Sequence, residues 1–179
     1  MIDFERRKKL AYHLRHLSIG LTTNDEFEEA VMEDVSAGSL PEHYYSSKQA
    51  KTDDLIIQPM LELCWGLYDD TRQHRLTKSD ELNEETLKII ARCILFLHSN
   101  REYEWPYFHI NNPLLKFDLK DLILTILTLG HHYRNKREEQ LISFIEWQKL
   151  GDYEVWPFIK KTDYQEQLKY QPFLNGNIS

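Results

Sequence analysis

Apolar residues recur every three or four positions along most of the chain, which is the period of an amphipathic α-helix. Leucines follow this spacing between residues 10 and 21, and Gly20 is a residue suited to ending a helix. A second helix is predicted to begin after Thr23, because Thr23 and Glu26 have the spacing of a capping box. Its apolar side comprises Phe27, Ala30, Val31 and Val35.

Two further helices are predicted in the middle of the chain. The third contains Met60, Leu63, Cys64 and Leu67, and Pro59 suits its first turn because proline lacks a backbone N–H. The fourth is the cleanest amphipathic stretch, with its apolar residues at Leu87, Ile90, Ala91, Ile94 and Leu97.

The second half of the chain has less uniform patterns. A fifth helix is predicted over Leu119, Leu122, Ile123 and Ile126, although residues 123–128 also suit a buried strand. A sixth helix contains Leu141, Ile142, Ile145 and Trp147. The spacing of Thr162 and Gln165 predicts another capping box, followed by a short helix through Leu168.

One aromatic phrase occurs twice. Tyr103-Glu104-Trp105-Pro106-Tyr107-Phe108 recurs, with one inserted residue, as Tyr153-Glu154-Val155-Trp156-Pro157-Phe158-Ile159. Proline favours an extended conformation in the residue before it, and large aromatic rings bury much apolar surface. We expect both phrases to act as aromatic clamps that pin extended segments onto a helical body.

Together these patterns predict an all-α, single-domain fold. The domain is expected to span residues 1–179 as a bundle of about six to seven helices, with the extended Trp-Pro segments laid across it. The tail from 172 to 179 contains Asn175-Gly176-Asn177 and is expected to fray.

Composition and charge narrow the class of protein. The net charge of -7 disfavours general binding to nucleic acid or to anionic membranes. The N-terminus lacks the apolar segment of a signal peptide, and the run from Leu119 to Leu129 is too short to span a bilayer. We therefore expect a cytoplasmic protein.

Cys64 and Cys93 both lie in apolar helical patterns, which predicts two buried free thiols.

The densest group of polar residues lies between residues 69 and 75. Carboxylates beside histidine and arginine suit a metal site or acid–base chemistry, which makes candidates of Asp69, Asp70, Arg72 and His74. The structural interpretation, which we favour, is that the two aspartates end one helix, cap the next turn and pair with Arg72 or Arg75.

Other motifs give weaker indications. His13 and His16 share one helix side, and His131 precedes His132, but neither pair has the carboxylate spacing of a metal-binding helix. The run Arg6-Arg7-Lys8-Lys9 is interpreted as a solvated helix side that faces the acidic second helix. Phosphate-binding glycine loops and nucleophile elbows are absent from the sequence, and we expect neither cofactor nor metal.

Several segments resemble a known family. Three segments are Leu67-Tyr68-Asp69-Asp70-x-Arg72-x-His74-x-Leu76, Glu102-Tyr103-Glu104-Trp105-Pro106 and Gly151-Asp152-x-x-Val155-Trp156-Pro157-Phe158. They look like segments of a family of small uncharacterised bacterial proteins. The resemblance covers much of the chain from about Leu61 onward. It implies a bacterial cytoplasmic protein, and it implies no activity, cofactor or catalytic residue.

Three functions agree with these observations. The first is a non-enzymatic protein-binding module, such as an immunity or antitoxin-like protein, that inhibits a basic partner protein. Its predicted binding residues lie on the acidic second helix and are Glu28, Glu29 and Glu33. The second is a metal-dependent hydrolase or nuclease that uses residues 69–74, and the third is a homodimeric structural adaptor. An enzyme is the less favoured class because the chain lacks a catalytic signature.

Overall fold

A computed structural model describes residues 1–36, 53–105, 119–136, 138, 145 and 149–171. These residues form helices, turns and loops, and none of them belongs to a β-strand. The predicted all-α class is confirmed. Three predictions lie outside the described residues: most of the helix around Trp147, the Pro106–Phe108 part of the first aromatic phrase, and the frayed tail 172–179.

Within the described ranges, six α-helices have defined bounds. They are α1 (Phe4–Ser18), α2 (Asn24–Asp34), α3 (Ile57–Trp65), α4 (Glu84–Leu97), α5 (Leu119–Leu127) and α6 (Lys161–Tyr170). Residues 131–136 are also helical. Short 3-10 helices occupy Lys78–Asp80 and Tyr153–Val155.

Local sequence explains where the first helices begin and end. The predicted capping box of α2 is present, because the Thr23 hydroxyl accepts the Glu26 N–H at 3.2 Å and the Glu26 carboxylate accepts the Thr23 N–H at 2.8 Å. Pro59 lies in the first turn of α3, where a backbone N–H has no intrahelical acceptor. Gly20 follows α1 with φ of 67°, and an added Cβ would lie 2.3 Å from the Thr77 methyl group.

The core is built around α1. This helix packs against α2, α3 and α4, and α4 also packs against α6. Most of the predicted apolar positions of these helices are buried, among them Leu10, Leu14, Leu17, Phe27, Met60, Cys64, Ile90 and Leu97. Leu21 is an exception, because it lies beyond the end of α1 and is 55% exposed. Both cysteines are buried free thiols, as predicted, and burial raises the pKa of each.

One residue of the basic run does not lie on a solvated side. Arg7 is fully buried, and its guanidinium makes a bidentate pair with Asp54 through Nε to Oδ2 at 2.6 Å and Nη2 to Oδ1 at 2.8 Å. Its Nη1 donates to the carbonyls of Ser99 at 3.2 Å and Arg101 at 2.9 Å. The interpretation of Arg7 as a solvated residue was therefore wrong, because its guanidinium makes four hydrogen bonds to fixed acceptors inside the fold.

The rest of the basic run agrees partly with the prediction. Lys9 pairs with Asp34 of α2 at 2.8 Å, as expected for a helix that faces an acidic neighbour. Arg6 instead pairs with Asp53 and donates to the Val35 carbonyl at 2.8 Å. Lys8 is exposed and pairs with Glu5 of its own helix at 3.0 Å.

The two aromatic phrases hold each other. The indole N–H of Trp105 donates to the Phe158 carbonyl at 3.2 Å, and that of Trp156 donates to the Tyr103 hydroxyl at 3.1 Å. Trp105 is only 2% exposed, whereas Trp156 is half-buried. The second phrase differs from the expected extended segment in that Tyr153–Val155 forms a 3-10 turn.

The predicted capping box at Thr162 is wrong. The helix α6 begins at Lys161 after an extended Lys160, and its N-terminus has no side-chain cap. The hydrogen bonds of the preceding segment fix where α6 starts. The Asp152 N–H donates to the Ile159 carbonyl at 2.8 Å, and the Trp105 indole N–H donates to the Phe158 carbonyl. Thr162 is consequently the second helical residue instead of the residue before the helix.

The residues around 123–127 are helical, as the first interpretation predicted, and the alternative of a buried strand is wrong. Leu122 and Ile123 are each about half exposed, and Ile126 is 67% exposed. Among the described side chains of α5, the buried one is Asp121, which pairs with His132 at 2.9 Å and with Lys136. The ion pairs join α5 to the helical residues 131–136 that follow it.

The buried arginine gives the first testable prediction. Arg7→Met leaves the Asp54 carboxylate buried without its cation, and we expect the free energy of unfolding in urea to fall by about 3–5 kcal/mol. The matched control is Lys8→Met, which removes an exposed cation from the same helix and is expected to change stability by less than about 1 kcal/mol. The double variant Arg7→Met/Asp54→Leu should lose less unfolding free energy than the two single variants lose together. Additive losses would contradict this account of the pair.

The aromatic clamp gives the second prediction. Trp105→Ala removes a buried ring, and we expect it to lower the free energy of unfolding by about 3–5 kcal/mol. Trp156→Ala should cost less, because that ring is half-buried. Tyr170→Ala is the control, since Tyr170 is 74% exposed. Wild-type stability of the Trp105 variant would show that the clamp does not hold the fold.

Candidate functional site

Three acidic residues of α2 serve the fold. Glu26 completes the capping box and lies 3.5 Å from Arg75, and the hydrogen bond from the Thr23 backbone lowers its pKa. Asp34 accepts hydrogen bonds from Lys9 and from His13, the latter at 2.9 Å, and the Lys9 bond is the main cause of its lowered pKa.

The third of these residues is Glu28, which was predicted as a binding residue. Its carboxylate accepts a hydrogen bond of 2.9 Å from the Tyr68 hydroxyl, and Glu28 is half-buried. Burial raises the pKa of Tyr68, and the neighbouring Glu28 raises it further, so that the phenol stays a donor. Glu28 therefore joins α2 to the end of α3.

The remaining acidic residues of α2 form one row on its surface. Asp25, Glu29 and Glu33 follow one another at every fourth position, which places them on one side of the helix, and all three are exposed. No ion pair or side-chain hydrogen bond within the described residues involves them. We call these three residues the acidic stripe. Two of them, Glu29 and Glu33, were predicted as binding residues, whereas the third predicted residue, Glu28, is engaged by Tyr68.

The stretch from Asp69 to His74 forms a folded turn. One carboxylate oxygen of Asp69 accepts the N–H of Thr71 at 3.0 Å and its hydroxyl at 2.6 Å. Arg72 donates to Asp80 at 2.5 Å and lies 3.6 Å from the other oxygen of Asp69. The hydrogen bond from the Thr71 hydroxyl is the main cause of the lowered pKa of Asp69. The hydrogen bond from the Arg72 guanidinium is the main cause of the lowered pKa of Asp80. Both carboxyl groups are therefore ionised at neutral pH, and neither is suited to act as a general acid.

A buried asparagine holds this turn in place. The Asn24 side chain accepts the N–H of His74 at 2.8 Å and donates to the Arg72 carbonyl at 3.1 Å. Its backbone N–H also donates to the His74 carbonyl at 3.1 Å. The sequence analysis missed Asn24, although a signal was available: a polar residue three positions before Phe27 lies on the apolar side of the helix.

The four candidate catalytic residues do not all line one cleft. A cleft of about 340 Å³ is lined by Asp69 and His74, together with Tyr68 and Asp80, but not by Asp70 or Arg72. The His74 ring is committed to the Arg72 carbonyl through Nδ1 at 2.9 Å. Within the described part of the chain, no group of three or more His, Cys, Asp or Glu side chains is arranged to hold a metal ion.

Comparison with protein-family models, curated proteins and solved structures found no match to this chain. The resemblance to a bacterial family therefore stays a prediction. Among the described residues, no helix has the length and apolar character needed to cross a bilayer. Function has to be argued from the surfaces themselves.

The turn at residues 69–74 gives the third prediction. A metal that binds only the folded state raises the melting temperature through linkage. We expect zinc, manganese or magnesium to leave the melting temperature of this protein unchanged, because the described residues hold no group of three metal-binding side chains. The measurement is thermal unfolding with and without each metal for wild type, Asp70→Ala and the control Glu104→Ala. A rise that Asp70→Ala abolishes and Glu104→Ala preserves would reinstate the metal site.

Proposed function

We propose that this chain is a non-enzymatic protein-binding module that receives a basic partner protein on the acidic stripe. Such a module would act as an immunity or antitoxin-like inhibitor does, by occupying a basic surface of its target. The observation that carries the proposal is the row of Asp25, Glu29 and Glu33, which the rest of the described chain leaves exposed and unpaired.

Repulsion within the stripe works against its own helix. Like charges four residues apart destabilise a helix by about 0.2–0.5 kcal/mol per pair, and the stripe contains two such pairs. Asp25 offsets part of this cost because it lies in the first turn, where a negative charge interacts favourably with the helix dipole. The pKa of Lys9 is raised mainly by Asp34 and to a smaller extent by Glu33. The described residues make no ion pair or side-chain hydrogen bond to the three carboxylates, which leaves them available to a cation from outside.

The stripe is long enough to meet several cationic side chains of a partner. Three carboxylates on successive turns span about 12 Å along the helix, which matches a few cationic side chains on a partner. Electrostatic complementarity of this kind acts mainly on association rate and selectivity. The net charge of -7 strengthens the attraction of a basic partner at long range.

The free thiols support the expected compartment. Cys64 and Cys93 are both buried and unbridged, which suits a protein of the reducing cytoplasm. A cytoplasmic setting also agrees with an inhibitor that meets its target inside the cell.

The metal-dependent hydrolase or nuclease remains the second candidate function. Its one supporting observation is the cleft that Asp69 and His74 share with Tyr68 and Asp80. It is less well supported than protein binding, because Asp69 and Asp80 are both engaged by Arg72 and Asp70 lies outside the cleft lining.

The fourth prediction concerns the partner. We expect affinity capture from a native lysate to retain a basic protein on wild type and to lose it on the stripe variant Asp25→Asn/Glu29→Gln/Glu33→Gln. The control variant Glu102→Gln/Glu104→Gln/Glu154→Gln removes the same number of charges from exposed sites elsewhere. It should retain the partner, since the stripe and not the net charge makes the contact.

The purified partner then allows a kinetic test. Association should slow for the stripe variant, and for wild type it should slow as salt shortens the Debye length from about 10 Å at 0.1 M to about 3 Å at 1 M. Both variants are first checked by circular dichroism for an unchanged fold. Equal association rates of wild type and stripe variant, or equal losses in both triple variants, would refute the proposal.

A further inference from the structure

A second cleft lies between the end of α1 and the start of α4, and we call it the amphipathic cleft. Its volume is about 400 Å³, which is within the range of small-molecule sites. Leu76 and Glu81 line both this cleft and the one beside Asp69. Gly20 lets the walls approach each other, because an added Cβ there would lie 2.3 Å from the Thr77 methyl group.

One part of the amphipathic cleft is aliphatic. Ile19, Leu76 and Leu87 line this part. Leu76 is buried, whereas Ile19 is 55% exposed and Leu87 is half-buried, so apolar surface of the cleft is still in contact with water. A ligand with an apolar side chain would remove this surface from water.

Two opposite charges line the same cleft without pairing. Lys78 and Glu81 are both exposed, and neither forms an ion pair or a side-chain hydrogen bond within the described part of the chain. The Glu81 backbone N–H donates to the Lys78 carbonyl at 3.4 Å, so the two residues meet through the main chain alone. The neighbouring charges differ, because Asp80 is paired with Arg72. The cleft therefore offers one free cation and one free anion to a ligand.

The backbone at Lys78 is in the left-handed region, with φ of 58°. This conformation is unfavourable for a residue with a Cβ, and residues of this kind cluster at ligand sites. It begins the 3-10 turn Lys78–Asp80, which returns the chain so that Glu81 lines the same cleft as Lys78.

We propose that the amphipathic cleft binds a free α-amino acid with an apolar side chain. Lys78 pairs with the carboxylate of this ligand, Glu81 pairs with its ammonium group, and its side chain covers the aliphatic part. The end of α1 borders the cleft at Ser18, and the partial negative charge at the C-terminus of a helix adds to the attraction of the ammonium group.

A zwitterion fits the cleft better than a ligand with one charge. A fatty acid would pair with Lys78 and bring its carboxylate towards the carboxylate of Glu81. An alkylamine would pair with Glu81 and bring its ammonium group towards Lys78. A polar amino acid would leave the aliphatic part in water. A ligand with both charges and an apolar side chain satisfies all three parts of the cleft.

The amphipathic cleft is separate from the acidic stripe, so either proposal can fail alone. The stripe lies on α2, whereas the cleft is lined by the end of α1, by residues 76–81 and by the first turns of α4. Asp25, Glu29 and Glu33 do not line it.

The fifth prediction is a ligand titration, followed by the amide chemical shifts of isotope-labelled protein. We expect L-leucine, L-methionine and L-phenylalanine to shift the amide signals of Ile19, Lys78 and Leu87. Glycine lacks the apolar side chain, and N-acetyl-L-leucine and L-leucinamide each lack one of the two charges. Each of these three compounds should bind more weakly than leucine by about tenfold or more.

Two single variants test the charged residues. Glu81→Gln and Lys78→Gln should each weaken leucine binding by about tenfold or more. The controls Glu85→Gln and Lys149→Gln remove exposed charges that do not line the cleft, and they should bind leucine as wild type does. The same spectra show whether each variant is folded, and the series of leucine analogues decides alone if one is not.

Three outcomes would overturn the proposal. The first is that none of the three apolar amino acids shifts the amide signals of the cleft. The second is that N-acetyl-L-leucine or L-leucinamide binds as tightly as leucine, which would leave a site for a ligand with one charge. The third is equal affinity of wild type and a folded Glu81→Gln variant for leucine.

Discussion

The bidentate pair between Arg7 and Asp54 is the interaction on which the described fold most depends. It joins α1 to the segment before α3, and the same guanidinium reaches the carbonyls of Ser99 and Arg101 beyond the end of α4. The guanidinium also lies 5.3 Å from the centre of the Phe96 ring. Because a buried charge without its partner is costly, these four parts of the chain are held in one arrangement.

The aromatic phrases extend that arrangement to the later part of the chain. Ser99 and Arg101 lead directly into Tyr103 and Trp105, whose hydrogen bonds reach Trp156 and Phe158. Phe158 in turn packs edge-on against Phe96 of α4, at 5.1 Å between ring centres. One continuous set of contacts therefore runs from the first helix to the start of α6, and the surfaces outside it are available for binding.

The division of labour among acidic residues connects this core to function. The acidic residues of α2 have four different roles. Glu26 caps the helix, Glu28 accepts a hydrogen bond from Tyr68, Asp34 pairs with α1, and the acidic stripe stays exposed. In α5 the described buried side chain is also a carboxylate, because Asp121 pairs with His132 and Lys136. The acidic stripe is thus what remains on α2 after the fold has engaged the other carboxylates of that helix.

Periodicity and capping determined the helical class and the burial of the α1 to α4 core from the sequence alone, because these signals act within a few neighbouring residues. The sequence also placed Glu29 and Glu33 on the acidic side of α2. Only the tertiary structure decided that Arg7 is buried, that Glu28 binds Tyr68, that Asn24 holds the turn at His74 and that α5 faces outward. Each of these depends on a partner far along the chain or on another helix, and such a partner is chosen by packing in three dimensions, which local spacing does not encode.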